Sequence, residues 1–215
     1  GTSVHLNTEI NDISTLDADI AVVAIGARPR LLNIPGVERA VSAADFLNDG
    51  MKCGDNVVII GGGLTGCEVA YELALQGKHP SIVEMTEYLV GARGICMANS
   101  SMLKELLRFH KVPAYLNSTV DSITGDGVVV NTPEGQITVP ADTVIMSVGY
   151  NPDKRFDPDD ARASKSRKDN RVRAFVNAYS DIGGPEVFFV GDCDKVGSLR
   201  TVIKQAYELV QKISY

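Results

Sequence analysis

Gly61, Gly63 and Gly66 stand at G-x-G-x-x-G spacing, and an acidic residue, Glu84, follows about 20 positions on. Between a strand and a helix, glycines so spaced do three separate things. The first permits a tight turn, the second lets backbone approach a pyrophosphate, and the third brings helix and strand close. An anion held there meets free N–H groups and the positive end of the helix dipole, so no side-chain cation is required. Gly62, Leu64 and Thr65 complete the stretch, and Leu64 and Thr65 would offer backbone N–H groups to the phosphates. A carboxylate at Glu84 accepts hydrogen bonds from ribose hydroxyls and repels a 2′-phosphate, which predicts NAD(H) in preference to NADP(H). The plainer alternatives are an ordinary turn for the glycines, a small helix-start residue for Thr65 and a solvated strand-end charge for Glu84.

The elements that must position these residues are legible around them. Val57-Val58-Ile59-Ile60 is an apolar run of strand type, and Cys67, Ala70, Leu73 and Ala74 then fall on one helical face of small residues. Gly77 marks the helix end, and Ser81-Ile82-Val83-Glu84 returns as a second strand, making one right-handed βαβ unit. Before it, Val4–Asn7 alternates as a short strand would, and Ile20–Ile25 is a continuous apolar run suited to a parallel strand buried on both faces. A short helix is expected around Ala43–Leu47, with Ser42 as its cap. After it come a helix over 99–110 with Met102, Leu103, Leu106 and Leu107 facing a sheet, a strand near 114–117, a meander over 119–123, 127–131 and 136–139, and a strand over 143–148. Residues 153–173 read as a solvated loop that is basic from Arg162 to Arg173, 187–190 as a buried strand, and 199–213 as a helix with a broad apolar face.

The 215 residues are 44% hydrophobic and carry a net charge of −6, which describes a globular chain and argues against nucleic acid or an anionic membrane as the main partner. No apolar run reaches transmembrane length, and no secretory segment opens the sequence. Cys53, Cys67, Cys96 and Cys193 have neither zinc-site nor disulfide spacing, so buried free thiols in a reducing, cytoplasmic setting are expected, with no metal site. His5, His79 and His110 are isolated, and no catalytic acid or base is assigned.

Two stretches repeat. Ala18-Asp19 through Gly26 to Pro29 matches Ala141-Asp142 through Gly149 to Pro152, each an apolar strand followed by [AS]-x-G-x-x-P. Leu6-Asn7-Thr8 with Ile10 and Ile13 parallels Leu116-Asn117-Ser118 with Val120 and Ile123 more weakly. These imply two related dinucleotide-binding units, the second complete and the first present only as its tail. At the repeat's offset the first unit's glycine cradle falls upstream of Gly1, so the chain is expected to be part of a longer protein.

The glycine cradle with Glu84, the paired strand-G-x-x-P motifs and the closing Val190-Gly191-Asp192 resemble the two-dinucleotide-binding-domain flavoproteins. Within them, Val57–Glu68, Ser81–Met85 and Phe189–Cys193 look most like the C-terminal region of the 2-enoate reductase and 2,4-dienoyl-CoA reductase group, old-yellow-enzyme-related NADH:flavin oxidoreductases. The resemblance implies that NADH gives hydride to FAD and that electrons then pass through a 4Fe–4S centre and FMN, held with an N-terminal barrel in the missing part, to an activated C=C bond. It implies that Glu68 points towards the nicotinamide, that Asp192 beside Gly191 binds the FAD ribityl chain, and that Ala24 and Gly26 belong to a flavin motif in which Ile25 replaces the usual threonine. The plainer alternatives are a helix-start acid that serves the dipole alone for Glu68 and a polar strand end for Asp192. Gly149 follows a strand at the sheet's carboxyl edge, where ligands bind in open α/β folds.

The expected fold is α/β: a Rossmann-like NAD(P)-binding domain with a β-meander over residues 51–150, inserted in a partial FAD-binding domain of the same type formed by 1–50 and 151–215, with a loop over 153–180. The expected function is that of a nucleotide-binding fragment of an NADH-dependent flavoprotein oxidoreductase, inactive alone and lacking its FAD. The alternatives are a rubredoxin or ferredoxin reductase, or a non-catalytic nucleotide-binding module. Its partners would be NADH, the missing barrel and FAD-cradle segments, and a second copy paired through an exposed sheet edge.

Overall fold

A computed structural model describes residues 1–50, 52–91, 96–156, 174–175 and 184–213. In chain order the elements are β1 (Ile20–Val23), β2 (Ala27–Pro29), β3 (Ala40–Ser42), α1 (Ala43–Asn48), β4 (Asn56–Ile60), α2 (Leu64–Leu75), β5 (His79–Val83), α3 (Met97–Phe109) and β6 (Ala114–Tyr115). They continue as β7 (Thr119–Ile123), β8 (Gly127–Thr132), β9 (Gly135–Pro140), β10 (Thr143–Met146), β11 (Tyr150–Pro152), β12 (Ala174–Phe175), β13 (Glu186–Phe189) and α4 (Leu199–Ile213). The mixed α/β fold with a parallel sheet is Rossmann-like, as the βαβ pattern requires. Two compact units result, Pro29–Gly149 and Gly1–Arg28 with Tyr150–Tyr215.

The Pro29–Gly149 unit is built on a five-stranded parallel sheet in the order β3-β10-β4-β5-β6. β4 is apolar at successive positions because both sheet faces are covered. Val57 and Ile59 face Cys67, Ala70 and Leu73 of α2 and Leu103 and Leu107 of α3, whereas Val58 and Ile60 face Val128, Val130 and Val139 of the β7-β8-β9 meander. Each buried valine, leucine or isoleucine among them contributes roughly 1.5–3 kcal/mol by leaving water. The helix ends follow local chemistry. Ser42 Oγ accepts the Asp45 N–H at 3.1 Å to start α1, and Gly77, at φ 77°, ends α2.

In the other unit β1, β13 and β12 form a three-stranded sheet, with Ala21, Val23, Val187 and Phe189 packed on Ile13. Six expectations are corrected, in this unit and in the Pro29–Gly149 unit. β1 is not buried on both faces: Ala21 and Val23 are buried, whereas Ile20 and Val22 are 37% and 47% exposed, because a continuous apolar run does not by itself bring cover to both faces. Of the cysteines, Cys67 and Cys193 are buried free thiols, but Cys53 is half-buried and Cys96, just before α3, is exposed. Val4–Asn7 is not a strand; its residues are exposed and Asn7 turns at φ 53°, because alternation forms no strand without a neighbour to pair with. Of the broad α4 face only Leu209 is buried, against Phe188 and Val190, while Leu199, Ile203 and Val210 are exposed, since an apolar stripe is buried only where another element packs on it. Asp153 is not a solvated loop residue but a buried carboxylate; residues 157–173 of that expected loop lie outside the described residues. In the Pro29–Gly149 unit, Met102 is 58% exposed, because the buried stripe of α3 narrows to Leu103 and Leu107.

The repeat is visible as geometry. Asn7 and Asn117 both adopt left-handed φ, 53° and 49°, and the following hydroxyls of Thr8 and Ser118 both donate two residues back, to Leu6 O and Leu116 O. Gly26 and Gly149 share φ of 78° and 87°. Asp153 N–H donates to Gly26 O at 3.1 Å, and Arg30 N–H donates to Gly149 O at 2.9 Å. These are equivalent bonds, each joining one copy's glycine to the residue four past the other's.

Burial raises the Asp153 pKa, but hydrogen bonds from Arg28 Nε at 3.0 Å and from the Arg155 backbone and guanidinium outweigh it and hold the carboxyl below its ordinary range. A depressed folded-state pKa means the unfolded chain binds more protons. The stabilisation is therefore complete above about pH 4 and is lost as pH falls through the folded value. The melting temperature of the native chain should fall more steeply below about pH 4 than that of Asp153→Asn. Parallel curves in an acid melting series would contradict this.

Candidate nucleotide site

Gly61 follows β4 at φ 107° and donates its N–H to Val83 O at 2.8 Å, so the turn is tied to β5. A side chain there would be strained, and its Cβ would lie 2.3 Å from Ser147 O. Gly66 answers a different demand. Its position one turn into α2 would bring a Cβ 2.0 Å from Gly61 O and 3.3 Å from Ile59 Cγ2, so its missing side chain is what lets helix and strand touch.

Gly63 is the open member of the trio. It precedes α2 without a side-chain cap, and a Cβ built on it meets nothing within 4 Å. The first hydrogen bond into the helix is Cys67 N–H to Gly63 O at 3.0 Å, which leaves the amides of Leu64, Thr65 and Gly66 without acceptors inside the helix. These amides and the space over Gly63 fit an anionic group, which the positive helix end favours.

Gly62 turns inward instead. Its N–H donates to Glu84 Oε2 at 2.6 Å, its carbonyl accepts the Val90 N–H at 2.7 Å, and a Cβ would come 2.5 Å from Leu89 Cδ2. Glu84 stands directly after β5, with its backbone tied to Tyr115 O and Ser118 N. Its Oε1 accepts both the N–H and the hydroxyl of Thr86, each at 2.8 Å. Beneath them Cys67 is fully buried and donates to Gly62 O at 3.3 Å. Burial first, and the Glu84 charge second, push its thiol up to about 12, so it is protonated and unreactive at neutral pH.

Parallel pairing collects the expected residues at strand ends. β4, β5 and β10 bring Gly61–Gly66, Glu84 and Gly149 to one carboxyl edge; Gly149 is exposed, with open space where a Cβ would stand. Glu68 is exposed on the α2 face that, with Leu47, Thr65, Val69 and Glu72, lines an open cavity of about 260 Å³. In the other unit, parallel β1 and β13 bring Ala24 and Gly26 beside Gly191 and Asp192. Gly191 N–H donates to Gln205 Oε1 at 2.8 Å, and Asp192 Oδ1 accepts from Gly197 N–H at 3.0 Å. The open space at Gly26 and the second Asp192 oxygen fit an extended polar ligand along this edge. The loop partners Thr86, Leu89 and Val90 escape sequence reasoning. Only Thr86, two residues after the carboxylate, carries a signal, that of a hydroxyl closing a turn.

Among the described residues no helix is long and apolar enough to cross a membrane, and no group of three or more His, Cys, Asp or Glu could hold a metal. The model of one family, pyridine nucleotide-disulphide oxidoreductase, matches residues 2–212. Cinnamate reductase of Clostridium sporogenes is 33% identical over 99% of this chain and 30% of its own length. The benzene 1,2-dioxygenase system ferredoxin–NAD(+) reductase subunit of Pseudomonas putida is 32% identical over 66% of this chain and 37% of its own. Among solved structures, 2-naphthoyl-CoA reductase superposes with a TM-score of 0.69 at 27% identity, over 88% of this chain and 26% of that one. The chain thus spans about a third of the length of these relatives.

Proposed function

The chain belongs to the pyridine nucleotide-disulphide oxidoreductase family, oxidoreductases that bind FAD and NAD(P)H, and on that premise we propose that it is the nucleotide-binding part of an NADH-dependent flavoprotein. NADH lies with its pyrophosphate over Gly63 against the amides of Leu64, Thr65 and Gly66, and its adenosine ribose on Glu84. The observation that carries this reading is the division of labour among the glycines: Gly61, Gly62 and Gly66 are filled or strained by the protein itself, and Gly63 alone of the stretch faces open space.

The Pro29–Gly149 unit, which takes in residues 29–50 beside the expected 51–150, is the NAD(P)H domain, and the unit of Gly1–Arg28 with Tyr150–Tyr215 belongs to the FAD domain, with Ala24, Gly26, Gly191 and Asp192 along the flavin edge. FAD supplies a two-electron acceptor for the hydride when bound. Glu68 and Gly149 flank the nicotinamide end. The end acceptor is an activated C=C bond, supported by the similarity to cinnamate reductase across almost the whole chain. FMN and a 4Fe–4S centre would be held by other parts of the whole protein. The second reading, a ferredoxin reductase, rests on the Pseudomonas putida relative.

Calorimetric titration with NADH and NADPH tests the central claim. NADH should bind more tightly, and Glu84→Gln should narrow the difference by about tenfold, since a neutral amide no longer repels a 2′-phosphate. Binding of neither nucleotide would overturn the proposal.

A further inference from the structure

A carboxylate has about four acceptor positions on its two oxygens. On Glu84, Oε1 takes the Thr86 N–H and the Thr86 hydroxyl at 2.8 Å each, and Oε2 takes the Gly62 N–H at 2.6 Å. One position, on Oε2, is left for a ligand. The Thr86 hydroxyl also lies 3.1 Å from Tyr88 O, but it has one hydrogen, and the shorter contact to a charged acceptor is the stronger. Thr86 is itself held in place, because its carbonyl accepts the Asn117 N–H at 3.0 Å. The segment beyond it closes back on the cradle through Val90 N–H to Gly62 O. Val90 makes that bond at φ 51°, a costly conformation for a β-branched residue and one that the surrounding contacts must impose.

The last torsion of a glutamate is broad and has little preference of its own, so the carboxylate's orientation is set by its hydrogen bonds. We propose that Thr86 is a positioning residue. It pins Oε1, turns Oε2 outward and so sets how strictly the cradle refuses a 2′-phosphate. The inference rests on the reading of the cradle as an NADH site. Without the hydroxyl, Glu84 retains one backbone donor on each oxygen and can swing away from an incoming phosphate. NADH then loses part of its acceptor, and NADPH meets less repulsion.

The test is titration of the native chain, Thr86→Val and Thr86→Ser with NADH and with NADPH, each variant's melting temperature being recorded. Thr86→Val should reduce the NADH-to-NADPH preference about fivefold. Thr86→Ser, which keeps the hydroxyl, should restore it. A role confined to closing the loop would weaken both nucleotides alike and lower the melting temperature, leaving the ratio unchanged; that result overturns the proposal. So does a ratio that Thr86→Ser fails to restore. Should Thr86→Val not fold, Thr86→Ala, which also lacks the hydroxyl, takes its place with the same expected ratio. A native chain that binds NADH and NADPH equally would remove the assignment of Glu84 first, whereas a native preference that survives loss of the hydroxyl defeats the Thr86 inference alone.

Discussion

Gly63→Ala should abolish or greatly weaken NADH binding while leaving the fold intact. The added methyl meets no protein atom within 4 Å, and at φ −68° alanine adopts the backbone without strain. Its structural cost is the ordinary difference between glycine and alanine before a helix, no more than about 1 kcal/mol. The same methyl stands in the path by which a pyrophosphate reaches the amides of Leu64, Thr65 and Gly66, so affinity should fall at least about tenfold. Calorimetry beside a thermal melt reads both quantities. Unchanged affinity would place the phosphates elsewhere.

Gly66→Ala should do the reverse and damage the fold first. Its Cβ would come 2.0 Å from Gly61 O, a backbone atom with no rotamer to escape into, and 3.3 Å from Ile59 Cγ2, part of a fully buried side chain. Relief requires α2 to lift from β4, opening the contact of Cys67, Ala70 and Leu73 with Val57 and Ile59. Overpacking of this kind costs about 3 kcal/mol. For a chain of this size the melting temperature should fall by roughly 6 °C or more. A loss under about 2 °C would show that helix and strand can separate cheaply. Together the two variants distinguish a glycine required by the protein from one required by its ligand, although both occupy the same motif.

Glu84 and Thr86 show how position and orientation are decided separately. The sequence spacing alone puts a carboxylate at the end of the second strand. Which of its oxygens faces outward depends on Gly62 from the preceding turn and on Thr86 from the following loop, two contacts that a one-dimensional pattern does not display.

What the sequence by itself determined is whatever local chemistry controls. The apolar run at 57–60, the small-residue face of α2, the Ser42 cap and the glycine spacing each follow from residue type and period. The repeat is legible for the same reason, since asparagine at positions 7 and 117 and glycine at 26 and 149 tolerate the backbone conformations that both copies use. Only the tertiary structure decided the rest. It inserted β10 between β3 and β4, through pairings of β10 that join residues more than 80 positions apart, and drew Asp153 into the interior against Arg28. It left the α4 stripe exposed and turned Gly62 inward while Gly63 stayed open. Burial and hydrogen-bond direction belong to the neighbours a residue acquires on folding, so residue types at a fixed spacing can name the glycine stretch but cannot say which of its glycines faces open space.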